Sequence, residues 1–99
     1  MAIIIVNDLP ADVTADQYAR VNEILESQGG APDGLVFHTG FVKGDHIQVV
    51  DGWESRGQFD AFRESRLMPA IMEVMGEAMA QGGPPPEPDE YEPLDLRTP

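Results

Sequence analysis

His38 and Asp51 can form an acid–base pair, and whether they meet depends on a hairpin turn. Segments 35–42 and 47–54 are rich in β-branched and aromatic residues, and Lys43-Gly44-Asp45-His46 lies between them. Gly44-Asp45 suits a two-residue type II′ turn, because glycine takes the positive φ of the first central position without steric cost. Lys43 then pairs with His46, and the register follows: Val42 with Ile47, Gly40 with Val49, His38 with Asp51, and Val36 with Trp53. A carboxylate opposite an imidazole orients the ring and raises its basicity, as a general base requires. Asn7, near the end of the first strand, can donate a hydrogen bond to a developing oxyanion. Trp53, Val36, Phe62 and Met72 are the apolar candidates for holding a substrate beside this set.

Each of these residues also has a purely structural reading. A His–Asp pair on a sheet is often just a satisfied polar contact. Trp53 fits a core position, and the methionines fit ordinary packing. A one-residue slip in the hairpin puts His38 opposite Gly52 and dissolves the pair. His38, His46 and Asp45 lack a recognisable metal-ligand spacing, so no metal is expected, and no cofactor either. There is no phosphate-cradling glycine loop and no nucleophile elbow.

The elements that must position the pair can be read along the chain. Residues 2–6 form an uninterrupted apolar run, Ala-Ile-Ile-Ile-Val, bounded by Asn7, Asp8 and Pro10, which predicts a strand covered on both faces. Thr14-Ala15-Asp16-Gln17 is a capping box that opens a helix, with Val13 and Tyr18 placed as a hydrophobic staple. Tyr18, Val21, Ile24 and Leu25 continue at helical spacing until Gly29-Gly30. Ser55-Arg56-Gly57-Gln58 is a second capping box. Phe59 and Phe62 follow it, then a stripe of Met68, Ile71, Met72, Met75 and Met79. Pro69 predicts a kink or restart within this helical segment. A stiff Gly/Pro linker over 82–88 leads to an edge segment around Tyr91, Leu94 and Leu96, where Pro93 restricts any strand to an edge or a bulge.

The order strand, helix, strand, strand, helix, weak strand is the α+β, ferredoxin-like βαββαβ plan with an antiparallel sheet. Ninety-nine residues fit one domain, 1–99. Both sides of the hairpin are substantially apolar, and the helices of so short a chain cover only one face of the sheet. A second copy of the chain is therefore the expected cover. The net charge of −12, with only six Lys and Arg, argues against nucleic acid and against an anionic membrane surface. The chain has no cysteine, which excludes disulfides and thiolate chemistry. The N-terminal apolar run is too short for a signal peptide and lacks a basic flank, so a cytoplasmic location is expected.

The run Val49-Val50-Asp51-Gly52-Trp53-Glu54-Ser55, followed by Phe59 and Phe62 and then Leu67-Met68-Pro69, resembles the dimeric α+β barrel superfamily. Within it, the chain is similar to small antibiotic biosynthesis monooxygenase-like proteins. The resemblance implies a homodimer whose two sheets face each other, with a pocket in each subunit between sheet and helices. Activities in the superfamily include cofactor-independent oxygenation of polycyclic phenols, heme degradation, isomerisation and lyase chemistry, and some members have no known activity. Heme-degrading members use an asparagine on the first strand, a tryptophan on the second helix and a histidine further along that helix as the iron ligand. Asn7 matches the first, Phe62 stands near the place of the second, and residues 55–81 contain no histidine. Heme oxygenase chemistry is therefore not expected. The pocket residues of the polyketide oxygenases differ among members, so no full catalytic set carries over.

Two functions remain open. One is a cofactor-free monooxygenase-like enzyme for a small, largely apolar aromatic or enolisable substrate, with His38 and Asp51 as base and Asn7 steadying the anion. The other is a non-catalytic homodimer that binds a small apolar ligand or serves as an accessory protein. A large pocket open to His38 favours the first, and a sealed, filled interior favours the second.

Overall fold

The N-terminal apolar run becomes an interior strand of a four-stranded sheet. β1 (Ile3–Asp8) pairs antiparallel with β3 (His46–Trp53) on one side and with β4 (Asp89–Tyr91) on the other. β2 (Leu35–Lys43) lies on the far side of β3, giving the order β2-β3-β1-β4. The computed structural model describes residues 2–82 and 87–96, with the backbone alone for 77–82. The strand order and the antiparallel pairing are those of the ferredoxin-like plan. Most of the expected 82–88 linker and the side chain of Met79 lie outside the described residues.

The hairpin turn sets the register. Gly44 has φ 65° and no non-glycine residue among the described residues has positive φ, so only the first central position of the turn is left-handed, as in a type II′ turn. Lys43 accordingly sits opposite His46, and the ladder runs in step from there to His38 opposite Asp51.

α1 (Ala15–Ser27) is opened by a complete capping box. Thr14 Oγ1 accepts from the Gln17 amide at 3.1 Å, and Gln17 Oε1 accepts from the Thr14 amide at 2.9 Å. α1 ends before Gly29 and Gly30, which both have positive φ. α2 (Arg56–Phe62) is capped by Ser55, whose hydroxyl accepts from the Gln58 amide. The chain then makes one π-helical turn, Arg63–Leu67, and continues as α3 (Met68–Gly82).

The irregularity expected at Pro69 falls just before it, as the π-helical turn from which α3 restarts at Met68. Proline at 69 removes the amide that would bond to the Ser65 carbonyl, and its ring crowds that turn. The wider π turn just before it absorbs both effects, so the chain stays helical through Pro69. The backbone leaves helical geometry instead at Gly76, with φ 38° and ψ −110°.

The edge segment pairs earlier than expected, over Asp89–Tyr91, before Pro93 can interfere. Arg56 links it to α2, donating to Glu90 at 2.6 Å and to Asp60 at 3.0 Å. No helix of the described residues is long and apolar enough to cross a membrane.

The packed core sits at one end of the gap between helices and sheet. Ile5, Trp53 and Phe59 are fully buried there, with Ile3, Leu35 and Phe62 against them. Trp53 meets Phe59 edge-on, with ring centroids 5.7 Å apart, and Phe62 at 5.4 Å. Such pairs add to area burial. Phe59→Ala is expected to lower unfolding free energy by about 3–5 kcal/mol. Met72, which is half exposed on α3, should tolerate alanine to within about 0.5 kcal/mol. Urea denaturation of the two variants beside the parent checks both values.

Candidate functional site

Residues paired across a sheet point to the same side, so the register fixes what faces the helices. On β1 these are Ile3, Ile5 and Asn7, opposite Trp53, Asp51 and Val49 on β3. β2 adds Gly40 and His38 to that face, opposite Val49 and Asp51. Asp51 is the only buried charged side chain among the described residues. A carboxylate in that position needs a donor. His38 supplies it, with Nδ1 at 2.5 Å from Asp51 Oδ1. The expected pair is therefore present, on the face turned toward the helices.

The other ring nitrogen is also occupied. Tyr18, on the first turn of α1, places its hydroxyl 2.9 Å from His38 Nε2, and the two rings stack with centroids 6.3 Å apart. Nδ1 faces a carboxylate and so carries the proton of the neutral ring. Nε2 is then the acceptor, and Tyr18 O–H donates to it. Gly40 makes this approach possible, because a Cβ there would collide with the Tyr18 phenol. Tyr18, His38 and Asp51 thus form one hydrogen-bonded chain from helix to sheet.

This chain opens on a cavity of about 620 Å³ between helices and sheet, within the usual range for small-molecule sites. Its polar lining includes Asn7, Tyr18, Asn22, His38 and Asp51, and its apolar wall includes Leu25, Ile71 and Met75. Asn7, His38, Asp51, Trp53 and Phe62, all singled out in the sequence, border it. Trp53 has no exposed surface, so it forms part of the packed floor, and its indole N–H has no hydrogen-bond partner among the described residues.

Two expected lining residues are not among those that border the cavity. A bulge between Leu35 and Phe37 puts Leu35, rather than Val36, opposite Trp53, and Leu35 takes the place at the cavity wall. Met72 is rotated away and half exposed, leaving Met68, Ile71 and Met75 to form that wall. The π turn before α3 changes the helical phase, which shifts the inward stripe.

Tyr18 was not among the site residues expected from the sequence. It was legible as an inward-facing staple residue, but the partner of its hydroxyl depends on how α1 crosses β2, which no local pattern encodes.

Electrostatics favour a protonatable His38. The hydrogen bond that His38 donates to Asp51 raises the histidine pKa above its usual value, partly opposed by burial and reinforced by the Asp51 charge. Burial raises the Tyr18 pKa, a hydrogen bond from Asn22 works against that, and the Asp51 charge adds to it.

His46 is less solvated than its place beside the turn suggests. It lies on the opposite face of the sheet, held by Asp8 at 2.8 Å and Asp45 at 2.9 Å. The described residues contain no group of three or more His, Cys, Asp or Glu side chains placed to hold a metal.

No protein-family model matches the sequence, and no curated protein does. Solved structures do match. Rv0793 from Mycobacterium tuberculosis aligns with a TM-score of 0.60 at 19% identity, over 98% of this chain and 97% of that one. The heme-degrading protein Rv3592 of the same organism, in a heme-free structure, gives 0.56 at 20% identity over 99% and 100%. A putative antibiotic biosynthesis monooxygenase from Chloroflexus aurantiacus gives 0.51 at 16% identity over 98% and 95%. The chain therefore has the ferredoxin-like α+β fold of these structures, and it is similar over nearly its whole length to proteins that include a putative antibiotic biosynthesis monooxygenase.

Proposed function

We propose that the protein is a cofactor-independent, monooxygenase-like enzyme that abstracts a proton from a small, largely apolar aromatic or enolisable substrate. The observation that supports this reading is the open cavity of about 620 Å³ with the Tyr18–His38–Asp51 chain in its wall. A merely structural His–Asp pair has no need of such a space, and a 99-residue chain leaves it at the expense of core. His38 takes up the proton, Asp51 stabilises the imidazolium, and the Asn7 amide can donate to the substrate oxyanion. The resulting anion is electron-rich enough to react with dioxygen. For a phenol oxidised to a quinone, the substrate gains one oxygen atom and loses two hydrogens, and the second oxygen atom leaves as water.

Heme, which Rv3592 degrades, does not fit this donor set. The chain has two histidines, and neither lies in 55–81. Both ring nitrogens of His38 are engaged, and His46 faces away from the cavity between two carboxylates.

The outward face of the sheet supports a homodimer. Ile4, Val6, Phe37, Phe41, Val50 and Tyr91 point away from the helices, and Phe41 and Tyr91 are 44% and 56% exposed. A second copy laid sheet to sheet is the cover that such a face needs.

With a tricyclic phenol or anthrone as substrate, His38→Ala is expected to cut oxygen uptake by roughly 10²–10⁴-fold, the usual share of a general base, while the fold survives. Saturable binding of the same compound without oxygen uptake by the parent protein would assign the cavity to a non-catalytic ligand-binding dimer instead.

Turnover should rise with pH as His38 loses its proton, with the limb above about pH 6.5, the ordinary histidine value. Asp51→Asn should move that limb down and slow the plateau. Stability should show the converse. A raised folded-state pKa means that His38 contributes fully below about pH 6.5 and that the contribution is lost as pH rises through the folded value. His46 is raised as well, by Asp45 and then Asp8, and acts with the same sign. The His38 share is therefore read from the difference between parent and Asp51→Asn, with the imidazole proton shifts followed by NMR.

Light scattering at micromolar concentration should give twice the chain mass of 10.8 kDa. Phe41→Glu on the outward face should shift this toward the monomer, in keeping with an interface of more than roughly 1,000 Å².

A further inference from the structure

We infer that Tyr18, not His38, is the group that meets the substrate, and that the substrate presents a hydroxyl proton, as a phenol or an enol does. This inference rests on the proton-abstraction reading above and specifies its contact atom and substrate class.

His38 has two nitrogens, and both are used, Nδ1 by Asp51 at 2.5 Å and Nε2 by Tyr18 at 2.9 Å. The imidazole therefore has no free lone pair to offer a ligand. The Tyr18 oxygen does. It donates its proton to His38 and can accept two hydrogen bonds. Asn22, one turn further along α1 and also in the cavity wall, is placed to donate one of them. The remaining lone pair belongs to a group that lines the cavity.

Proton transfer through this arrangement balances. The substrate O–H proton passes to Tyr18 Oη as the Tyr18 proton passes to His38 Nε2. The O–H bond of the substrate breaks, Tyr18 ends as it began, and the imidazolium is held by Asp51. Such a relay needs a hydrogen-bonded chain of O–H to O–H to N. A substrate hydroxyl completes it. A C–H group, a poor hydrogen-bond donor, does not. The class thus narrows from any enolisable compound to one already carrying an acidic hydroxyl. Gly40 acts as the positioning residue, since only the absence of a Cβ lets the phenol reach the imidazole.

The test uses 4-nitrophenol, whose absorbance separates phenol from phenolate, titrated against the full chain across pH. In the parent protein, the bound probe should show at least about a tenfold higher phenolate-to-phenol ratio than free probe at the same pH, a shift of about one pKa unit. Tyr18→Phe keeps the ring and should retain binding while abolishing this excess ionisation, although His38 and Asp51 remain paired. His38→Ala should abolish it too. Gly40→Ala keeps the phenol but displaces it from His38, and should give the same loss. It carries the test if circular dichroism shows Tyr18→Phe to be misfolded. Ionisation preserved or enhanced in Tyr18→Phe, with loss in His38→Ala, would show that a freed Nε2 contacts the substrate directly. That result overturns the inference and leaves the proposed function standing. A parent protein that fails to bind or to ionise the probe overturns the proton-abstraction reading, and this inference with it.

Discussion

A carboxylate on the covered face of the sheet is the constraint around which this molecule is arranged. Asp51 is 7% exposed and stands between Ile5 on β1 and His38 on β2, beneath a layer of helices. Leaving it ionised and unpaired there would cost several kcal/mol. The imidazole of His38 removes that cost only if the β2–β3 register holds, since a one-residue slip turns His38 to the other face. The hairpin turn at Gly44-Asp45 and the buried pair therefore enforce the same register from opposite ends of the ladder. That agreement explains how a strand with so much exposed surface toward its turn keeps a unique alignment.

The same carboxylate shapes the interior. A core packed solidly over Asp51 and His38 would strip away the remaining solvation of both. Instead the fully buried cluster of Ile5, Trp53 and Phe59 sits to one side, and the space beside the pair stays open. The chain is short of buried area as a result, and its outward apolar face is the complementary feature. Burial forgone inside can be recovered between copies, so cavity and outward face are two consequences of one small core.

Much of this was legible in the sequence where a local rule governs. The capping box at Thr14, the type II′ turn at Gly44 and the His38–Asp51 pairing all follow from side-chain chemistry within a few residues, or from counting outward from a turn. The departures share a different origin. The bulge at Val36 and the π turn before Pro69 each alter the phase of an element without an unambiguous sequence mark, and both moved an expected lining residue, Val36 in one case and Met72 in the other. Periodicity assumes an unbroken helix or ladder, so every phase shift reassigns the residues beyond it. Tyr18 escaped for a third reason. Its ring satisfied the staple pattern, and that packing role concealed the hydroxyl at the far end of the same side chain.

The strong negative charge of the chain bears on how an anion could ever form in such a cavity. With a net charge of −12, the protein repels a preformed phenolate, and an anion would arrive against the whole field. A neutral phenol enters without that penalty. Transfer of its proton to His38 leaves the total charge of the site unchanged, because the carboxylate, imidazolium and substrate anion together carry the same single negative charge that Asp51 carried alone. The new charges lie close together, where their attraction is little screened, while the acidic surface lies across solvent and is screened over about 8 Å at physiological salt. On the proposed function, Asp51 therefore does more than orient a ring: it would let a neutral acid be ionised in the cavity of a protein whose net charge repels the conjugate base.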